Sequence, residues 1–244
     1  MRVLLCTTAS VLAGLLAGCH AAPAPSPGLA TVVVDVSARP HERVKPRRES
    51  GSDPLYGGGY DSSPGSRSAY ARVRYTALED VVIWLAPQSA DAAEKRADAV
   101  EIELRRSKSE PPLVAASCGA TVRMRNASET PMVVYSVSEG NAFDLGSLAP
   151  GEVATWTARA PGLVEVLDES QELPIARVFV APSCWVAVCR APGRVALRDV
   201  VPGQYRLHAW HPRLPGAELP LTAEPDSLSS ADIWLGVDRL PHLP

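Results

Sequence analysis

The sequence predicts an all-β protein built as a Greek-key sandwich. From about residue 70 onward it contains many short apolar runs, among them VEIEL, ATVRMRN, IARVFVA and QYRLHAW. Glycine, proline, asparagine or aspartate separates these runs at intervals of about ten residues, and several runs alternate apolar with polar side chains. Short alternating runs with regular turn signals are typical of two packed antiparallel sheets.

The first nineteen residues predict export and a lipid anchor. Arg2 precedes the apolar run VLLCTTASVLAGLLAG, which is too short to span a bilayer comfortably. The run ends in LAGC (Leu16–Cys19), which resembles the bacterial lipobox, whose cysteine is acylated and becomes the new N-terminus. We therefore expect residues 1–18 to be a lipoprotein signal peptide and Cys19 to be lipidated. An ordinary secretory signal cleaved near GCHAA is the alternative.

The residue after the lipobox bears on the destination of the protein. An aspartate at this position in Gram-negative lipoproteins signals retention in the inner membrane, and here the residue is His20. The resemblance thus implies a cell-envelope protein on the periplasmic face of the outer membrane. Its first expected partner is the membrane itself, reached through the acyl chains.

Charge excludes one class of partner. The formal net charge is −3 and the isoelectric point is near 6.0, so the chain has no strongly basic field. Proteins that bind nucleic acid depend on such a field to neutralise phosphates. We therefore expect no nucleic-acid partner.

The segment that follows Cys19 divides into three parts. Residues 19–30 are rich in proline and alanine and are predicted to be a tether that lifts the folded part off the bilayer. Residues 31–36, TVVVDV, are β-branched and predict an edge strand. Residues 37–69 are dense in glycine, proline, serine and charge, which predicts a disordered insertion.

The order of landmarks in the rest of the chain resembles that of a known family. The landmarks include GATVRMRN (119–126), VVYSVSEGNAFDLGSLAPGE (133–152), PGLVEV (161–166) and RVALRDVVPGQYRLHAWHP (194–212). They resemble bacterial periplasmic methylamine-utilisation or plastocyanin-like proteins. The resemblance implies a cupredoxin-type β-sandwich over residues 70–182. It also implies a transthyretin-like, carboxypeptidase-regulatory-like β segment over residues 183–240, packed with that sandwich.

The copper ligands of that family are missing here. A type 1 copper site needs a thiolate and two imidazoles, with a weak axial thioether. The four matching positions in this chain are Met132, Asp168, Gln171 and Pro174. Since these positions offer neither thiolate nor imidazole, the resemblance implies a degenerate site and no bound metal or other cofactor.

A second hypothesis keeps copper through a rebuilt site, for electron transfer or metal trafficking. It combines Met132 with a thiol from Cys184 or Cys189 and an imidazole from His208 or His211. The two histidines are three residues apart in HAWH, and on a strand such residues point to opposite faces, which argues against a shared ion.

A disulfide is expected among the three cysteines that remain after Cys6 leaves with the signal peptide and Cys19 takes the lipid. An extended strand would place Cys184 and Cys189 about 16 Å apart, beyond the roughly 7 Å limit for a disulfide. The bridge would then join Cys118 to one of them. The sequence does not choose between the two.

Catalytic signatures do not support an enzyme. The chain contains no G-x-S-x-G, S-x-x-K or H-E-x-x-H motif. Ser170 stands beside two carboxylates, but no histidine is predicted near it. The leading hypothesis is a non-catalytic binding or structural module whose acidic loop, residues 168–173, contacts an unknown periplasmic protein or a glycan.

Overall fold

The computed structural model describes residues 24–39, 75, 78, 80–89, 98–106, 112–189 and 193–236. These residues form fifteen strands, and none of them belongs to a helix long and apolar enough to cross a membrane. The predicted signal peptide at residues 1–18, the predicted lipidation site Cys19 and the part of the predicted insertion beyond residue 39 lie outside the described residues.

The strands are β1 (Ala30–Arg39), β2 (Val81–Pro87), β3 (Val100–Leu104), β4 (Leu113–Ser117), β5 (Thr121–Asn126), β6 (Met132–Ser136), β7 (Phe143–Leu148), β8 (Val153–Thr157), β9 (Gly162–Asp168), β10 (Ala176–Ala181), β11 (Val186–Cys189), β12 (Arg194–Val200), β13 (Gly203–His211), β14 (Leu214–Ala223) and β15 (Leu228–Gly236).

The strands form four sheets that pack as two sandwiches. In the first sandwich, the sheet β12-β1-β15 covers the sheet β11-β2-β13-β14, and Val34, Ile83 and Leu207 are fully buried between them. In the second sandwich, the sheet β3-β5-β8 covers the sheet β4-β10-β9-β6-β7 around Met124 and Val178. The predicted fold class is confirmed as an all-β protein whose sheets pack face to face as sandwiches.

A third apolar layer joins the two sandwiches. Val82 and Trp84 point away from the first core and meet Phe179 and Ala181, which point away from the second. The ring centroids of Trp84 and Phe179 are 5.3 Å apart. Since side chains alternate across a strand, β2 and β10 contribute apolar residues to two layers each. The four sheets therefore form one continuous stack.

The prediction of an edge strand at residues 31–36 is wrong in two respects, its length and its place in the sheet. β1 extends to Arg39 and lies in the centre of its sheet, antiparallel to β12 and parallel to β15. Val32 and Val34 are fully buried, and Thr31 and Val33 on the opposite face are nearly so. Because the insertion follows it, the run looks isolated in the sequence, and its strand partners lie more than 150 residues away.

The pairing of β2 moves the boundary between the two β units. The sequence-based division includes this strand in the cupredoxin-type unit at 70–182, but it pairs with β11 and β13 of the first sandwich. The second sandwich, β3 to β10, is thus inserted between two neighbouring strands of the first. The predicted segment at 183–240 is completed by β1 and β2.

Two further segments differ from the sequence-based expectation. β14, LPGAELPLTA, was not among the predicted strands, and it contains Pro215, Gly216 and Pro220, residue types that commonly mark turns. It is an edge strand of its sheet, where proline is tolerated. Residues 24–29, predicted to be part of a free tether, are hydrogen-bonded to the first sandwich.

Candidate functional site

Two of the four positions that the resemblance matches to copper ligands lie together at one end of the second sandwich. Met132 is the first residue of β6, and Asp168 is the last residue of β9, the strand that pairs with β6. Both side chains are buried. Gln171 and Pro174 are in the loop after β9, where Gln171 is exposed and Pro174 is half-buried.

Arg106, which was not predicted from the sequence, occupies this end of the sandwich. It follows β3, and its Nε donates a hydrogen bond of 2.6 Å to Oδ2 of Asp168. Its two terminal nitrogens donate to the carbonyl oxygen of Pro131, at 2.7 Å, and to the hydroxyl of Thr130. Asp168 is 1% exposed and Arg106 28%, so the ion pair is largely removed from water.

The carboxylate of Asp168 has further donors around it. Its Oδ1 accepts the backbone N–H of Val133 at 3.3 Å and that of Ser170 at 3.4 Å. Its Oδ2 accepts the hydroxyl of Ser170 at 2.8 Å. Burial acts to raise the pKa of Asp168, but the hydrogen bonds from Arg106 and Ser170 outweigh it and lower the pKa below the ordinary value. The carboxylate is therefore ionised at neutral pH.

A buried asparagine shapes the loop that Arg106 contacts. The side-chain nitrogen of Asn126 donates to the carbonyl oxygens of Thr130 and Leu148, each at 2.9 Å. Its oxygen accepts the N–H and the hydroxyl of Ser128, at 2.9 and 2.7 Å. These bonds hold residues 126–130 in a tight turn that presents Thr130 and Pro131 to the guanidinium.

The residues present do not fit a type 1 copper ion. Met132 supplies only a thioether. At the position expected to supply the thiolate, the chain has the carboxylate of Asp168, which already binds the guanidinium of Arg106. A guanidinium keeps its proton at any ordinary pH, so Arg106 repels a metal ion instead of releasing the carboxylate to it. Within the described ranges, no three His, Cys, Asp or Glu side chains are grouped to hold an ion.

The two histidines of HAWH lie on opposite faces of β13, as expected for a strand. His208 stacks on Trp84 with centroids 4.8 Å apart and rings within 5° of parallel, and its Nδ1 is 3.5 Å from Oε2 of Glu218. His211 is buried, and its Nδ1 accepts the backbone N–H of Arg213 at 3.1 Å. Burial, with a smaller effect of Arg213, lowers the pKa of His211 to about 4.

The three cysteines in the described residues belong to different cores. Cys184 and Cys189 lie on either side of the apolar run of β11 and pack against the first core, whereas Cys118 packs against the second. β2 separates β11 from β13, which carries the histidines. The disulfide that the sequence suggested remains a prediction, and it would tie the two sandwiches together.

A shallow groove of about 200 Å³ lies on the outer face of β3-β5-β8. Opposite charges pair along it: Glu101 with Arg123 at 3.3 Å, and Glu103 with Arg125. Exposed pairs of this kind contribute little to stability, because water screens the two charges. Since the lining contains two acidic and two basic side chains, the surface of the groove is close to neutral overall.

Comparison with known proteins gives only distant structural likenesses. No protein-family model matches the chain, and the comparison with curated proteins finds no similar sequence. Three solved structures of amicyanin variants resemble part of it: a methionine-to-alanine mutant with Cu(I), an oxidised proline-to-alanine mutant, and a second methionine-to-alanine mutant with Cu(I). Their identities are 21%, 18% and 19%, and their TM-scores are 0.29, 0.29 and 0.27. The matches cover 40%, 42% and 40% of this chain and 98%, 100% and 99% of those chains.

Replacement of the buried carboxylate tests the ion pair. We expect Asp168→Asn to lower the free energy of unfolding by about 3 kcal/mol at pH 7, because Arg106 is left uncompensated. The difference from wild type should shrink below about pH 4, since the lowered pKa of Asp168 means that its stabilisation is lost as the carboxylate is protonated. Urea unfolding at several pH values measures both effects.

Asp35→Asn is the matched control, because Asp35 forms a two-bond pair with Arg194 at 2.9 and 3.0 Å that is exposed. Its cost should be much smaller than that of Asp168→Asn, because water screens the exposed pair. Equal costs for the two variants would contradict the account of a buried, structural ion pair.

The burial of His211 leads us to expect a second pH dependence of stability, at higher pH than that of Asp168. Its pKa of about 4 in the folded protein lies below the ordinary 6.5, so the unfolded chain takes up the proton first as the pH falls. We expect stability to decline by up to about 3 kcal/mol between pH 6.5 and 4, with no further loss from this residue below pH 4.

His211→Asn should remove most of that decline, because asparagine can accept the same turn N–H without taking up a proton. Thermal unfolding across the pH range measures it. An unchanged slope in the variant would show that His211 does not carry the effect.

Proposed function

We propose that this protein is a non-catalytic, lipid-anchored lipoprotein of the bacterial envelope whose second sandwich binds no copper and acts as a binding module. The observation that carries the proposal is the Arg106–Asp168 ion pair. The guanidinium of Arg106 binds Asp168, and the resemblance to plastocyanin-like proteins matches the position of Asp168 to the thiolate ligand of copper.

The ion pair favours a structural use of this end over a redox use. Electron transfer through copper needs ligands that stabilise two oxidation states, which means soft sulfur and imidazole nitrogen. Asp168, Thr130 and the carbonyl group of Pro131 bring only oxygen to the guanidinium. Their bonds hold the neighbouring loop in place without a metal.

The loop held in this way supplies the proposed contact surface. Residues 169–173 are exposed, and Leu173 is 72% exposed between the carboxylate of Glu172 and Pro174. An apolar side chain surrounded by acidic groups suits a protein partner with an apolar pocket and a basic rim. A glycan is the alternative that the binding experiment separates from it.

The anchor and the location rest on the sequence. LAGC at residues 16–19, followed by His20, supports acylation of Cys19 and residence on the periplasmic face of the outer membrane. A lipid anchor keeps the module close to other envelope components, which raises the effective concentration for a weak contact.

The loop and its control can be tested in one experiment. Full-length protein is isolated from envelope fractions after cross-linking, and its partners are compared with those of the triple variant Glu169→Ser, Glu172→Ser, Leu173→Ser. We expect the variant to lose its protein partner, since the variant removes the exposed groups and keeps Asp168. The control is Val137→Ser with Glu139→Ser, an exposed apolar and acidic pair after β6.

Three results would contradict parts of the proposal. Partners that are the same for the wild type and the triple variant would exclude the loop as the contact surface. Capture of glycan in place of protein would exclude the protein partner. A Cys19→Ser variant that still fractionates with membranes would exclude the lipid anchor.

A further inference from the structure

The segment that leads from the proposed anchor is fastened to one end of the first sandwich. The N–H of Leu29 donates to the carbonyl oxygen of Ser26 at 3.0 Å and closes a turn. The hydroxyl of Ser26 donates to Oδ1 of Asp199 at 2.8 Å, and the N–H of Gly28 donates to Oδ1 of Asp226 at 2.6 Å. Residues 26–28 are therefore held at two points.

The two aspartates belong to turns that share this end of the sandwich. Asp199 lies next to the turn between β12 and β13, and Asp226 lies in the turn between β14 and β15. Their φ values are +53° and +52°, a left-handed conformation that aspartate tolerates better than most residues. We call the end formed by residues 24–29, 199–203 and 224–228 the base.

The position of the base limits its distance from the lipid. Ala24 is five residues after Cys19, and a fully extended chain of that length spans at most about 17 Å. β13 runs away from the base for nine residues, to the turn at Pro212 and Arg213. At about 3.3 Å per residue, that turn lies roughly 26 Å beyond the base.

We propose that the base is a membrane-facing surface whose partner is the lipid bilayer, so that the first sandwich stands on the membrane in a fixed orientation. This inference rests on the proposed lipid anchor. Leu228, at the start of β15, is 54% exposed at the base, and Pro27, in the segment held by the two aspartates, is also exposed. Apolar side chains that project from an anchored domain enter the interfacial region of a bilayer.

Charge makes the proposal more specific. The base carries the acidic residues Asp199, Glu224 and Asp226, so anionic lipid does not attract it through these groups. The orientation therefore follows from the short connection and the apolar contact. It should be present on neutral membranes and no stronger on anionic ones.

The test measures which end of the first sandwich touches lipid. Full-length lipidated protein is reconstituted into vesicles of phosphatidylcholine, or of phosphatidylethanolamine with phosphatidylglycerol, with a photoreactive benzophenone side chain at position 228 or at position 213. Lipid adducts are counted by mass spectrometry after illumination. We expect about fivefold more adducts at position 228 than at position 213 in phosphatidylcholine, and a ratio no higher than this in the anionic mixture.

A paired variant tests the two hydrogen bonds. Asp199→Ala together with Asp226→Ala should reduce the ratio of adducts towards one while the protein stays on the vesicles, because residues 24–29 then lengthen the tether. The control is Asp144→Ala, whose carboxylate also accepts a turn N–H, that of Gly146 at 2.9 Å, but in the second sandwich. It should keep the wild-type ratio.

The outcomes separate this inference from the proposed function. Vesicle-bound protein with equal adducts at positions 228 and 213 would overturn the membrane-facing base and leave the anchor standing. Protein that does not float with vesicles would overturn both. A ratio that rises only with anionic lipid would show an electrostatic contact and would also overturn the proposal.

Discussion

The apolar layer between the two middle sheets is the contact on which the rest of the structure depends. β2 and β10 each bury one face in their own core and the other against the opposite sandwich. Phe179 meets Trp84 on one side and Trp210 on the other, with centroids 5.3 and 4.7 Å apart. Both faces of these strands are buried against apolar side chains. The inserted second sandwich is therefore packed against the first and is not held to it by the two connecting segments alone.

This arrangement assigns different roles to different parts of the molecule. The first sandwich holds the segment that leads to the proposed anchor, through Asp199 and Asp226. The second sandwich presents the loop after β9, held from beneath by Arg106 and Asp168. The stack therefore connects the base, which we propose faces the membrane, to an exposed loop through three continuous apolar layers.

Local patterns in the sequence predicted much of the fold, whereas long-range pairing set the rest. Alternating runs such as ATVRMRN identify strands, because side chains alternate between core and solvent. The central place of β1 could not be predicted, since its partners β12 and β15 come from the other end of the chain. β14 was hidden by prolines that an edge strand tolerates.

The candidate site shows the same division. The prediction that Met132, Asp168, Gln171 and Pro174 stand where the resembling family has copper ligands came from a linear comparison of positions. The pairing of Asp168 with Arg106 could not be predicted in this way, because Arg106 lies 62 residues earlier in the chain and follows a different strand. The only signal was a pair of arginines after VEIEL, and nothing local distinguishes the one that is directed inward from Arg105, which binds Glu103 at the surface.

The most direct test of the account is a measurement of metal content. The mature protein is loaded with copper(I) and, separately, with copper(II), dialysed, and analysed for bound metal together with its optical spectrum and its fold. The account predicts far less than one copper ion per chain, no colour and an unchanged circular-dichroism spectrum. One tightly bound copper ion per chain would contradict it, because Arg106 would then have to release Asp168 or a site would have to form from other residues.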